Sequence, residues 1–406
     1  MKHASALVGL LLTALTVGVP AFGDGGFFFE QTATVALAQT RQEVLLAFYS
    51  TADGGEARTT YVIRTRYAGQ PGAFAWVVPV PATPTEVTAQ PSGALFDALG
   101  ALTEPTFTIS GFSGRGGCGC AGVAAAPAEL GLVEVEASGQ AGIFEWTALT
   151  STGATALLTW LNDHGFAVPS AAVTVLEPYI QSERHFLAVR VSKPEDVAAD
   201  SSGVIELPPI QFTCATTERF YPLAISQISA APQTEVLAYV LADHRAEGAN
   251  VSNAVIDPQA VIYDPNSASQ TNYEALFSQI IAPLGGLVLV TEFAGTMAAS
   301  SPTTQPASQP SAVLALDLAS LPPEVRALDF LTRMRTVIDR EQMTRDLLFQ
   351  DAPNDEPVSR YFSVSVSSSQ ASLGTAGSGL ATVVAYGLLY VGMKRRTRSS
   401  RGPASR

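Results

Sequence analysis

Hydrophobic and polar residues alternate with period two along much of the N-terminal half. Tyr61, Ile63, Thr65 and Tyr67 fall on one face, and Val62, Arg64 and Arg66 on the other, which predicts a half-buried strand. Phe74 to Val80 is nearly continuous apolar sequence and reads as a strand covered on both faces. Pro79 and Pro81 lack an N–H and are expected to end its ladder. The period then lengthens: Leu95, Leu99 and Leu102 predict a short helix over Ser92 to Leu102. A second helix is expected over Gly153 to Leu161, with Ser151 or Thr152 as cap, Ala154, Leu157, Leu158 and Leu161 as stripe, and Gly165 as stop. Strands are predicted at 185–191, 204–214, 221–228, 235–241 and 287–292, and a helix at 273–281. Pro322 and Pro323 open a predicted amphipathic helix. Its apolar face is Val325, Leu328, Leu331, Met334 and Ile338, opposite Arg326, Arg333 and Arg335. Phe362, Val364 and Val366 alternate with serines, as in a last strand or an extended stem.

A candidate internal repeat relates Ala68–Trp76 to Ser138–Trp146, seventy residues on, with a predicted helix after each copy. Two strand–turn–strand–helix units of this kind could pack as a pseudo-symmetric α+β domain. The fold class expected is therefore α+β: a β-rich ectodomain with short helices, followed by one C-terminal transmembrane helix.

The two ends carry the expectations about location. Residues 1–23 read as a signal peptide, with Lys2, an apolar run from Ala4 to Val19, Pro20 and a small-residue exit. At the other end no charge occurs from Tyr361 to Met393. Thr375 to Met393 would span about 28 Å as a helix, close to the ~30 Å hydrocarbon core. Lys394, Arg395, Arg396 and Arg398 flank that run, with Arg401 and Arg406 beyond, and basic flanks stay on the cytoplasmic side. The domain plan is a signal at 1–23, an extracytoplasmic α+β domain at 24–297 and a Ser/Thr/Pro/Gln-rich linker at 298–312. An amphipathic helix and stem at 313–370, a membrane helix at 371–393 and a basic tail at 394–406 complete it.

Charge sharpens this picture. The net charge is -13. Setting aside Lys2 and the six basic tail residues leaves about -20 on the exported part, counted against 36 acidic residues. Such a surface repels phosphate backbones, so no nucleic acid is expected as a partner. Its simplest consequence is solubility, with attraction of a cationic ligand as the alternative.

Candidate chemistry is sparse. Cys118 and Cys120 lie in a Gly- and Ala-rich loop at 111–127, and Cys214 lies far along the chain. An oxidising compartment would permit a disulfide from that loop to Cys214, leaving one thiol over. The alternative is a reduced redox or metal-binding loop, since soft thiolates suit copper(I) or zinc. His164, His185 and His244 are scattered, so no metal or other cofactor is called. Gly111-Phe112-Ser113-Gly114-Arg115 falls short of a serine-hydrolase elbow by its last glycine. Glu134 and Glu136 alternate with Val133 and Val135 and are expected to face solvent, while Trp76, Trp146 and Trp160 are expected in the core.

Several stretches, taken together and in order, carry a resemblance. They are Gly25-Gly26-Phe27-Phe28, Phe74-Ala75-Trp76-Val77-Val78-Pro79-Val80-Pro81 and Leu158-Thr159-Trp160-Leu161-Asn162-Asp163-His164-Gly165. Leu176-Glu177-Pro178-Tyr179, Tyr221-Pro222-Leu223 and Leu331-Thr332-Arg333-Met334-Arg335-Thr336 complete the set. The chain resembles, from about Gly25 to Asp346, the bacterial exported family catalogued as domain of unknown function 2330. In that family cysteines often flank the Gly-Gly-Phe-Phe stretch, whereas here Asp24 and Phe29 stand there. The resemblance implies an extracytoplasmic, membrane-tethered protein and brings no reaction, substrate or catalytic residue. The function expected is a membrane-anchored binding or scaffold protein of the bacterial cell envelope, not an enzyme, engaging the membrane through its C-terminal helix and an unidentified envelope partner. The alternative is a thiol-based redox or metal-binding protein using the Cys118/Cys120 loop.

Overall fold

The computed structural model describes residues 26–30, 38–51, 55–68, 74–110, 134–164, 166–167, 172–192, 204–296 and 318–366. The described residues up to Ser365 form one compact unit. The chain runs through β1 (Gly26–Glu30), β2 (Ala38–Ser50), β3 (Ala57–Ala68), β4 (Phe74–Val80), β5 (Thr85–Ala89), α1 (Ala94–Thr103) and β6 (Thr106–Ser110). It continues with β7 (Glu134–Ala141), β8 (Phe144–Thr150), α2 (Ala154–Asp163), β9 (Phe166–Ala167), α3 (Ala172–Gln181), β10 (His185–Val191), β11 (Val204–Glu206), β12 (Ile210–Ala215) and β13 (Phe220–Tyr221). Then come β14 (Ala230–Ala242), β15 (Ala246–Gly248), β16 (Ser252–Ala254), α4 (Tyr273–Ile281), β17 (Val288–Thr296), α5 (Pro323–Arg326), β18 (Phe330–Asp339), β19 (Leu347–Asp351) and β20 (Tyr361–Ser365). The β-rich α+β class expected from the sequence is what forms. No helix among the described residues is long and apolar enough to cross a membrane. The predicted membrane segment at 371–393 and its flank Lys394, Arg395, Arg396 and Arg398 lie outside the described residues.

Two large sheets make the body. One has the order β7-β8-β10-β4-β1-β9, and the other β16-β17-β18-β14-β2-β3-β12-β5 with β11 also on β3. They share the main core. Trp76, Val78, Leu187 and Val189 of the first sheet meet Val44, Leu46, Ile63, Phe212, Ala238, Val240 and Met334 of the second. On its far side the first sheet carries α2 and α3, through Leu157, Leu161 and Leu176 against Val77, Leu149 and Phe186. The far side of the second sheet is covered in part by α1 and the 318–328 segment, through Phe96, Leu99, Leu321 and Val325 on Leu45, Tyr239 and Leu331. The layers are thus helix, sheet, sheet, helix, with period-two strands serving two cores at once.

Covering both faces explains three departures from expectation. β3 is buried on both sides, not half-buried, because Val62 and Arg64 are as enclosed as Tyr61 and Ile63. The ladder of β4 runs through Pro79, which stands opposite Phe186 of β10. The amphipathic helix proposed from Pro322 shrinks to the four residues of α5, and its remainder is β18, an interior strand between β14 and β17. Leu331 joins the outer core, while Met334 and Ile338 join the core between the sheets. The apparent single stripe is therefore split across two faces. Thr332, Thr336, Val337 and Ile338 favour the strand because branching at Cβ fits a pleated surface.

Residues 221–228, expected as a strand, become the short β13 and a 3-10 turn at Ala224–Ile228. The repeat is not structural. β7 and β8 pair as a hairpin, but β3 and β4 belong to different sheets. After α4, Gly285 and Gly286 adopt left-handed φ values of 58° and 89°. A Cβ at Gly286 would lie 2.3 Å from the Val337 carbonyl oxygen, so only glycine lets the chain turn so closely over β18. β20 adds to β6 in parallel register, burying Phe362 and Val364 against α4 and β17.

Candidate functional site

The outer face of the second sheet changes character along its strands. Beyond the apolar patch under α1, alternate positions become charged: Arg41 and Glu43 on β2, Arg64 and Arg66 on β3, Glu235 on β14, and Arg333 and Arg335 on β18. Register sets Glu43 opposite Arg64 and Glu235 opposite Arg41. Glu292 sits at the point where the β17–β18 register shifts, and the bulge turns it toward Arg333.

Ion pairs join these residues into a continuous band. Arg64 Nε donates to Glu43 at 2.7 Å, and its Nη1 reaches Asp97 at 2.7 Å and Glu206 at 3.3 Å. Arg335 Nε donates to Glu235 at 2.6 Å, while Nη1 and Nη2 take both oxygens of Glu274 on α4. The same guanidinium stacks 4.2 Å from the centre of the Phe277 ring. Arg333 Nε donates to Glu292 at 2.8 Å, and the Tyr273 hydroxyl donates to the other Glu292 oxygen at 3.1 Å. Burial disfavours the charged guanidinium, but the carboxylate partners win, holding Arg64, Arg333 and Arg335 above their ordinary range. Burial first, then Glu292, pushes the Tyr273 phenol up, so it stays protonated and donates.

A cleft of about 250 Å³ opens over this band, lined by Arg41, Glu104, Pro105, Phe107, Glu235, Tyr273, Glu274, Glu292, Arg333 and Arg335. A second, about 210 Å³, shares Glu274 and Arg335 and has Phe277, Ile281 and Val337 in its wall. Five strands, α4 and the end of α1 thus contribute to one charged hollow. Three of its four carboxylates, Glu235, Glu274 and Glu292, are held by guanidinium groups at 3.3 Å or closer.

The residues singled out from sequence do not meet there. Cys118, Cys120 and the Gly111–Arg115 stretch lie outside the described residues. Cys214 is a free, buried thiol near the end of β12, and the loop cysteines expected to bridge to it are outside the described residues. Its Sγ donates to the Ala82 carbonyl at 3.4 Å, and burial pushes the thiol up to about 12. His164 ends α2 with its ring on Trp160, His185 pairs with Glu136 at 2.8 Å, and the exposed His244 pairs with Asp355 at 2.9 Å. Glu134 and Glu136 are both exposed on β7, as expected, and Glu136 has His185 as its partner. Trp76 and Trp160 are core residues and Trp146 is half-buried. No group of three or more metal-ligating side chains is assembled among the described residues.

Sequence reading missed the charged band because each strand carries only one or two of its members. The available signal was charge recurring every second residue inside otherwise apolar strands: Arg41/Glu43, Arg64/Arg66, Arg333/Arg335.

No curated protein matches the sequence. Among solved structures, the crystal structure of baculovirus P35 is similar over 57% of this chain and 72% of that one, at 12% identity and a TM-score of 0.29. That score is too low to carry an argument about fold or function. The motifs from Gly25 onward, the two-sheet body that holds them and a family match over residues 25–350 converge: the chain belongs to the family of uncharacterized proteins conserved in bacteria known as DUF2330.

Proposed function

We propose that this protein is a membrane-anchored, extracytoplasmic binding or scaffold protein of the bacterial cell envelope, and that the charged cleft on its outer sheet face is where it binds. The observation that carries the reading is the pairing inside the cleft. Glu235, Glu274 and Glu292 are each held by an arginine, which suits recognition and leaves them poorly placed for proton transfer. The apolar and basic ends of the sequence support the anchored, exported part of the proposal. The thiol alternative loses its third member, because a thiol raised to about 12 and enclosed in β12 supplies no thiolate.

Two measurements test this. Protease added to the outside of intact inner-membrane vesicles of native orientation should digest the body and spare a tag placed after Arg406; loss of the tag overturns the anchored topology. The intact, anchored protein should capture an envelope component, and Arg41→Gln should abolish that capture. Capture unaffected by Arg41→Gln removes the cleft from the proposal.

A further inference from the structure

The last strand of the body lies in a groove made by much earlier parts of the chain. Among the described strands β20 pairs with β6 alone, in parallel, setting Phe362 opposite Phe107 and Val364 opposite Ile109. A two-stranded ladder is marginal in water by itself, so side chains must hold this one. They alternate accordingly. Phe362 and Val364 are 4% and 2% exposed, whereas Tyr361, Ser363 and Ser365 face outward. The two buried residues join a cluster with Tyr273 and Phe277 of α4 and Val288 and Val290 of β17. Main-chain bonds to one strand, with apolar anchors at every second residue, are how a separate peptide adds to a sheet edge. Upstream the segment is tied down: Val358 and Ala294 exchange both main-chain hydrogen bonds, at 2.9 and 3.1 Å, and Arg360 donates to the Ala101 carbonyl at 2.8 Å. Beyond Arg360, docking rests on β6 and the two anchors.

This groove and the charged cleft share a wall. The Phe362 ring centre lies 5.5 Å from that of Phe107 and 5.2 Å from that of Tyr273, and those two rings are 5.3 Å apart. Phe107 and Tyr273 both line the cleft. Tyr273 carries the contact further: its hydroxyl donates to Glu292 at 3.1 Å, and the other Glu292 oxygen takes Arg333 Nε at 2.8 Å. Phe362 is thus the third ring of the cluster behind the cleft. Without β20, Phe107 and Tyr273 lose the ring on which both pack.

We infer that β20 is a releasable strand whose docking between β6 and α4 builds the back wall of the cleft, so that strand docking and binding in the cleft favour each other. The inference rests on the binding reading above and names the regulation of that site. Linkage makes the coupling reciprocal: an occupant of the cleft holds β20 in place, and release of β20 weakens the occupant.

Hydrogen exchange of the detergent-solubilised full chain, read by mass spectrometry, tests the strand itself. In the parent, amides of β6 and β20 should exchange together and at least about tenfold faster than those of β14 and β18, as a local opening does. The double variant Phe362→Ala, Val364→Ala should quicken β6, β20 and the first turn of α4 while β14 and β18 keep their protection. An acetylated peptide copying residues 360–365 should bind that variant and restore the α4 protection. The same peptide with serine at both apolar positions should do neither. Exchange of β20 as slow as that of β14 in the parent, or failure of the first peptide to bind, overturns the releasable strand. Unchanged α4 protection in the double variant overturns its link to the cleft wall. Phe362→Leu keeps an apolar anchor and removes the ring. It should leave β20 docked yet lower envelope capture at least about fivefold, whereas Ser363→Ala, at an outward-facing position, should change neither. Capture by Phe362→Leu equal to that of the parent also overturns the coupling. If the parent captures nothing, the binding reading fails, and exchange and peptide binding still decide between a releasable strand and a fixed one.

Discussion

Arg333 and Glu292 meet across neighbouring strands at 2.8 Å with both side chains shut away from solvent, and the contact exists because a register shift in β17 turns Glu292 toward β18. A buried ion pair of this kind adds little net stability, since desolvation offsets attraction, yet losing one partner is severe.

Glu292→Gln should therefore destabilise the protein by about 3–5 kcal/mol, because Arg333 is left charged and without its counter-ion. The double change Glu292→Leu with Arg333→Met should recover most of that loss. Urea unfolding of the three variants measures both steps. A single variant within experimental error of the parent would mean that water replaces the lost partner.

Trp160 packs its ring on His164 and belongs to the core beneath α2 and α3. Trp160→Ala should cost about 3–5 kcal/mol through lost burial and the cavity left behind. An unchanged unfolding midpoint would show that α2 closes over the gap or that the ring is not enclosed.

Cys214 should be inert while the protein is folded. In a Cys118→Ser, Cys120→Ser background, a thiol reagent at pH 8 should label Cys214 only after denaturant is added, since burial holds the thiol up at about 12. Cys214→Ser in the parent chain should lower the unfolding midpoint equally with and without reductant, through packing alone. Loss confined to non-reducing conditions would mean that a disulfide to Cys214 exists.

His244 is fully exposed, so its titration is a local effect read by NMR. Hydrogen bonding to Asp355, then the charge of that carboxylate, raises the imidazole above its ordinary value and lowers Asp355. A raised histidine favours the folded state fully below its unfolded value of about 6.5, and the benefit disappears as pH rises through the folded value. Asp355→Asn should move the His244 midpoint downward. A midpoint identical in parent and variant would remove the pair.

Much of the fold was written locally. β4, β10 and α4 follow from apolar runs and helical spacing, and they form where those patterns predict them. Local pattern failed where burial came from both sides. Leu331, Met334 and Ile338 satisfy a helical stripe as well as two faces of a strand, and only β14 and β17 on either side decide between them. The same holds for the cleft. Period-two charges on separate strands say that a strand has a polar side, but which arginine meets which carboxylate depends on sheet order, and β2 next to β14 in parallel is a pairing no local signal encodes. Composition and the character of the two ends set the expectation of an acidic, exported, tethered protein. Joining residues as distant as Arg41, Glu104, Glu292 and Arg333 into one hollow belonged to the tertiary structure, because strand register and the Glu292 bulge are settled only when the sheets pack.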